Sequence, residues 1–187
     1  MSTKKIVLGC LGVIALGLLG FAGCTALGIA GFGKAVEDAK NAPGGSKATA
    51  VGMGTAVKNG DLVFTVTAAK DAGPKLTETG GMGTSISAAT GGTYVLVTYT
   101  VKNDGKTSGA ISKPTLIDEQ DRRYSHTVAF GDYVPKAEAC TLETVPAGLS
   151  QTCTDIYEVP AEHPVLYAQC NGFGMNEGWV KLDIAAP

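Results

Sequence analysis

Tyr94-Val95-Leu96-Val97-Thr98-Tyr99-Thr100-Val101 is a strand written out in full: every side chain in it is β-branched, aromatic or leucine. Such residues suit a pleated, half-buried surface. Side chains alternate across a strand, so Val95, Val97, Tyr99 and Val101 line one face and Tyr94, Leu96, Thr98 and Thr100 the other. Asn103-Asp104-Gly105 follows as a turn.

The same rhythm recurs on both sides. Asp61 to Thr67 places Leu62, Phe64 and Val66 on one face. Thr115 to Ile117 and Tyr124 to Val128 flank the polar tip Asp118-Glu119-Gln120-Asp121. Gln151 to Val159 is entered through Pro146-Ala147-Gly148 and stopped by Pro160. Val165 to Cys170 and Trp179 to Ile184 complete the set, with Val180, Leu182 and Ile184 inward. Short strands separated by turns, with no useful helical stripe, predict an all-β fold: an immunoglobulin-like antiparallel sandwich of 7–8 strands, preceded by one N-terminal hydrophobic helix. Asp71 to Gly92 breaks the rhythm with Gly, Ser, Thr and Ala, and reads as a disordered insertion or a binding loop.

The N-terminus assigns a compartment. Lys4 and Lys5 precede an uncharged run from Ile6 to Gly33 that contains Phe21-Ala22-Gly23-Cys24. A positive start, an apolar core and a small-residue site before a cysteine read as an export signal. Two readings stay open: a lipoprotein signal with Cys24 as the lipid-attachment residue, or an uncleaved transmembrane helix. At ~1.5 Å per residue the run is about 42 Å long, enough to span a bilayer core. The apolar tail Thr25 to Gly33 favours the helix; the lipobox-like Ala22-Gly23-Cys24 favours the lipid. Both put the domain outside the cytoplasm with a membrane as partner. Residues 1–33 are thus the anchor, 34–48 a flexible tether, and 49–187 the sandwich.

Cysteine usage agrees with export. Cys140, Cys153 and Cys170 lie in the domain and allow one disulfide with one thiol left over. The shorter intervening segment favours Cys140–Cys153, because its ends stay closer. No Cys-x-x-Cys or nearby histidine completes a zinc set, and no metal or cofactor is expected. The basic residues are scattered, with only Arg122 and Arg123 adjacent in the domain, which argues against nucleic acid as a partner.

A search for catalytic chemistry returns little. Ser125 and His126 are neighbours on a strand, so their side chains point apart. His163 sits in a turn between Glu162 and Pro164. There is no nucleophile elbow, and Gly105-Lys106-Thr107 lacks the upstream glycine of a phosphate loop. Asp118, Glu119 and Asp121 offer oxygens to Ca²⁺, but a charged hairpin tip that keeps the sheet edge soluble explains them better. Trp179 is out of phase with Val180, Leu182 and Ile184, and two readings stay open: an outward-facing ring that forms a binding patch with Tyr94, or a cap on the bottom of the core.

In order along the chain, Gly60-Asp61-Leu62-Val63-Phe64, Thr93 to Asn103, Leu116-Ile117-Asp118, and Leu142 to Pro160 with Tyr157-Glu158-Val159-Pro160 set up a resemblance. Residues 51 to 184 resemble the telokin-like, immunoglobulin-like domain of unknown function of actinobacterial lipoproteins and exported proteins, related to a secreted mycobacterial immunogenic antigen. Ala147 and Tyr157 depart from the family pattern. The resemblance implies a fold and an extracytoplasmic site, with no catalytic residues to carry over. The expectation is a membrane-anchored, non-enzymatic domain that binds an envelope or surface protein. A phage superinfection-exclusion lipoprotein and an envelope hydrolase are the alternatives.

Overall fold

The computed structural model describes residues 37–78, 83–127, 133–134, 140, 144–162, 165–171 and 177–186. The predicted anchor with Cys24, as well as His163, lies outside the described residues. The chain divides into two compact units, Met1–Ala39 and Lys40–Pro187, and the second is the domain.

Two sheets carry it. Sheet one holds β2 (Ala56–Asn59), β3 (Leu62–Gly73), β6 (Gly92–Asn103) and β11 (Ser150–Pro160), in the antiparallel order β11-β6-β3-β2. Sheet two holds β1 (Val51–Gly52), β8 (Thr115–Asp118), β9 (Arg123–Tyr124), β12 (Leu166–Cys170) and β13 (Gly178–Lys181), in the order β1-β13-β12-β8-β9. Only the β1–β13 pairing among these is parallel. Two short ribbons complete the described strands: β4 (Lys75–Thr77) with β5 (Ser85–Ser87), and β7 (Gly109–Ala110) with β10 (Thr144–Val145). This is the predicted β-sandwich.

The patterned strand does what its alternation dictates. Val95, Val97, Tyr99 and Val101 are all fully buried, next to Phe64 and Val66 of β3. They form one core with Leu116, Leu166, Ala168, Val180 and Leu182 from the other sheet. Each such aliphatic burial is worth about 1.5–3 kcal/mol. β3 runs past the predicted end at Thr67 because a bulge intervenes: Val66 pairs with Tyr99 and Ala68 with Thr98. The extra residue returns Ala69 to the inward face, where it is buried.

The Asp71–Gly92 segment differs from expectation. It is neither insertion nor open loop over its described length, but the end of β3 followed by the β4–β5 hairpin. Its apolar signal is sparse, with Leu76 opposite Ile86 and polar or small residues around them. That pair joins the cover on the outer face of sheet one, where Leu76, Tyr94, Val134 and Ile156 make a second buried cluster with Ile86 and Tyr133 packed against it.

Part of the segment read as a tether is built into the domain. Gly44 accepts a hydrogen bond at its carbonyl from the Trp179 amide, 2.8 Å away. At φ +74°, with Val57 Cγ1 2.8 Å from where a Cβ would sit, position 44 admits only glycine without movement. Lys47–Thr49 then makes one 3₁₀ turn.

Candidate functional site

Among the described residues, polar side chains gather at the β8–β9 turn, inside the sandwich and at one end of sheet one.

The first is the β8–β9 turn. Asp118 ends β8 with its carboxylate buried. One oxygen accepts the amides of Gln120 and Arg122 at 2.9 Å. The other accepts Arg122 Nε at 2.5 Å and the Tyr124 hydroxyl at 2.7 Å. Burial pushes this carboxyl up, but the Tyr124 and Arg122 bonds outweigh it and hold it at about 2. Lys47 donates to the Asp118 carbonyl at 3.1 Å and pairs with Asp121, whose φ of 61° closes the turn. The acids considered for Ca²⁺ therefore serve the hairpin: Asp118 gives its oxygens to Arg122, Tyr124 and two amides.

The second lies inside the sandwich, where β11 meets the segment entering β8. Cys153, Asp155, Tyr157 and Val159 share the inward face of β11 and are buried. Asp155 is fully excluded from solvent, accepts the Tyr99 hydroxyl at 2.8 Å, and lies 3.1 Å from Lys113 Nζ. The Tyr157 hydroxyl donates to the Pro114 carbonyl at 2.8 Å. Burial first, and the Asp155 carboxylate second, push both tyrosine hydroxyls far above their usual range. His126 forms a bridge with Tyr157. Burial, then the Lys113 charge, pull its imidazole down, with Asp155 opposing. Sequence reasoning missed Asp155 and Lys113. The in-phase row Cys153-Asp155-Tyr157 carried the signal for the first, since an acid stands there in an otherwise apolar set.

The third is a cavity of about 240 Å³ at one end of sheet one, lined by Asn59, Asp61, Asn103, Thr107 and Ser108 among others. Asn103 is satisfied: its amide nitrogen donates to the Thr107 and Val145 carbonyls, and its oxygen accepts the Gly105 amide. Asn59 is not. Its nitrogen donates to the Cys170 carbonyl at 3.0 Å, which orients the amide, and its buried oxygen has no hydrogen-bond partner.

The predicted site residues fall as follows. Cys140 and Cys153 form the disulfide, as the shorter spacing suggested, and Cys170 is the free, buried thiol. Burial pushes that thiol up to about 12. The expected binding patch at Trp179 and Tyr94 is not a surface: they are 8% and 4% exposed. Being out of phase does put Trp179 opposite Val180, but that side of β13 is covered too, and its indole nitrogen donates to Glu177 at 3.2 Å. Tyr94 faces outward from its sheet, as expected, and is then covered by the β4–β5 cluster.

Residues 51–177 match the model of a family described as a domain of unknown function (DUF4352). No curated protein matches the chain. Among solved structures, a conserved hypothetical protein from Bacillus anthracis is similar, with a TM-score of 0.54 at 15% identity over 69% of this chain and 94% of that one. An uncharacterized β-sandwich protein from Clostridium difficile 630 gives 0.48 at 13%, over 71% and 93%. The yjhA protein of Bacillus subtilis gives 0.48 at 19%, over 71% and 99%. The likeness to the B. anthracis protein is one of fold.

Proposed function

The chain belongs to the DUF4352 family of domains of unknown function, and on that footing we propose that it is a membrane-anchored, extracytoplasmic binding domain rather than an enzyme. The observation that carries the binding role is the end cavity, where the oriented Asn59 side chain forms part of a polar lining. The Asp61 carboxylate and the Thr107 and Ser108 hydroxyls around it suit a small polar group presented by an envelope partner.

The compartment is supported by the Cys140–Cys153 disulfide, since such bonds persist in oxidising surroundings. The Lys4-Lys5 start and the uncharged run to Gly33 supply the anchor, through Cys24 or as a helix. The finer kinship with telokin-like domains of actinobacterial exported proteins belongs to the same reading, on its ordered motifs. The non-catalytic reading is supported by the use of Asp118 in a turn and by the burial of Cys170.

Amide chemical shifts on titration with envelope extract test the binding role. Changes centred on Asn59, Asp61, Thr107 and Ser108, lost in Asn59→Leu, are expected. Changes centred elsewhere, or a turnover abolished by His126→Ala, would count against it.

A further inference from the structure

We propose that Lys113 and Asp155 become joined by an intramolecular amide bond between Lys113 Nζ and the side-chain carboxyl carbon of Asp155. The two groups already stand paired. Nζ lies 3.1 Å from Asp155 Oδ1, so the ion pair holds the amine beside the carboxyl group it attacks, and holding reactants together lowers the entropic cost of their reaction. The second carboxyl oxygen accepts the Tyr99 hydroxyl at 2.8 Å, a donor aimed at the oxygen on which charge develops when an amine adds to the carboxyl.

Both partners are held from the same strand. Asp155 and Tyr157 are two apart on the inward face of β11, and the Tyr157 hydroxyl grips the carbonyl of Pro114, the residue after Lys113. Asp155 is completely excluded from water, so the reverse hydrolysis lacks its reactant. A buried ion pair contributes little to stability, because desolvation offsets the attraction. Converting it to an amide removes both charges and ties the segment entering sheet two to β11 of sheet one.

The chemistry balances without an outside reagent. One proton passes from the ammonium to the carboxylate, leaving a neutral amine and a carboxylic acid. The nitrogen lone pair attacks the carboxyl carbon and forms the C–N bond, with Tyr99 donating to Oδ2. A nitrogen-bound proton moves to Oδ1, the C–Oδ1 bond breaks, and Oδ1 leaves as water. Nothing is oxidised or reduced. His126, whose charge state responds to both Lys113 and Asp155, is the nearby group suited to carry the proton.

The test is the mass of the full-length protein under denaturing, reducing conditions, with the N-terminal processing assigned from its own peptide. The bond predicts a chain lighter than its sequence by one water, and a chymotryptic digest containing a branched peptide that joins the Lys113 and Asp155 segments. Lys113→Arg should restore the full mass. Tyr99→Phe should leave a mixture of joined and unjoined chains. A wild-type protein at full mass, with Lys113 and Asp155 in separate peptides, overturns the proposal whether or not either variant folds.

Discussion

Asp118 shows how much one side chain can organise. Four donors converge on its buried carboxylate, and they hold it at about 2. A carboxyl depressed in the folded state contributes stability above its unfolded value of ~4, and that contribution is lost as the pH falls from there through the folded value. Asp118→Asn should lower stability at neutral pH by about 1–3 kcal/mol, because donors lose their anion. Its melting temperature should also fall less than that of wild type on acidification below pH ~4, which thermal melts across pH will show. Cys170 is the opposite kind of residue, a thiol that burial renders inert. Its peptide should stay unmodified by iodoacetamide in the native protein at pH ~8 and become modified in denaturant, since the thiolate is the nucleophile. The sequence contained the position of Asp155, in phase with Cys153 and Tyr157. It did not contain the identity of its partner, because Lys113 lies in a segment with no period to follow.

At the scale of elements, strands with strict alternation were legible and sparse ones were not. Val95 to Val101 and Leu62 to Val66 fall on the faces their alternation assigns. The β4–β5 hairpin was invisible because Leu76 and Ile86 alone mark it, and β3 outran its prediction because a bulge shifts the phase at Thr67. Trp179 was placed on the correct side of its strand, but alternation says nothing about what covers that side. Leu76→Ala should cost about 2–3 kcal/mol if the hairpin is the packed lid of the second cluster, read as a shift in denaturant midpoint. The disulfide links β11 to Cys140, 13 residues earlier. Replacing both cysteines by alanine should cost about 2–4 kcal/mol. In a domain of this size that is a loss of roughly 4–16 °C in melting temperature.

The whole molecule combines a DUF4352 sandwich with an uncharged N-terminal run from Ile6 to Gly33. The sandwich was legible because its core strands keep period two; the end cavity was not, since Asn59, Asp61, Thr107 and Ser108 meet only through the fold. We propose that this domain is held at the outer face of a membrane with its disulfide closed. The most direct test is the intact mass of the protein extracted from membranes, recorded without and then with reductant. An anchored domain is recovered in the membrane fraction, as a chain beginning at lipid-modified Cys24 or retaining its first residues, and gains two hydrogens on reduction. An unmodified chain in the soluble cytoplasmic fraction, with a mass that reduction leaves unchanged, would contradict it.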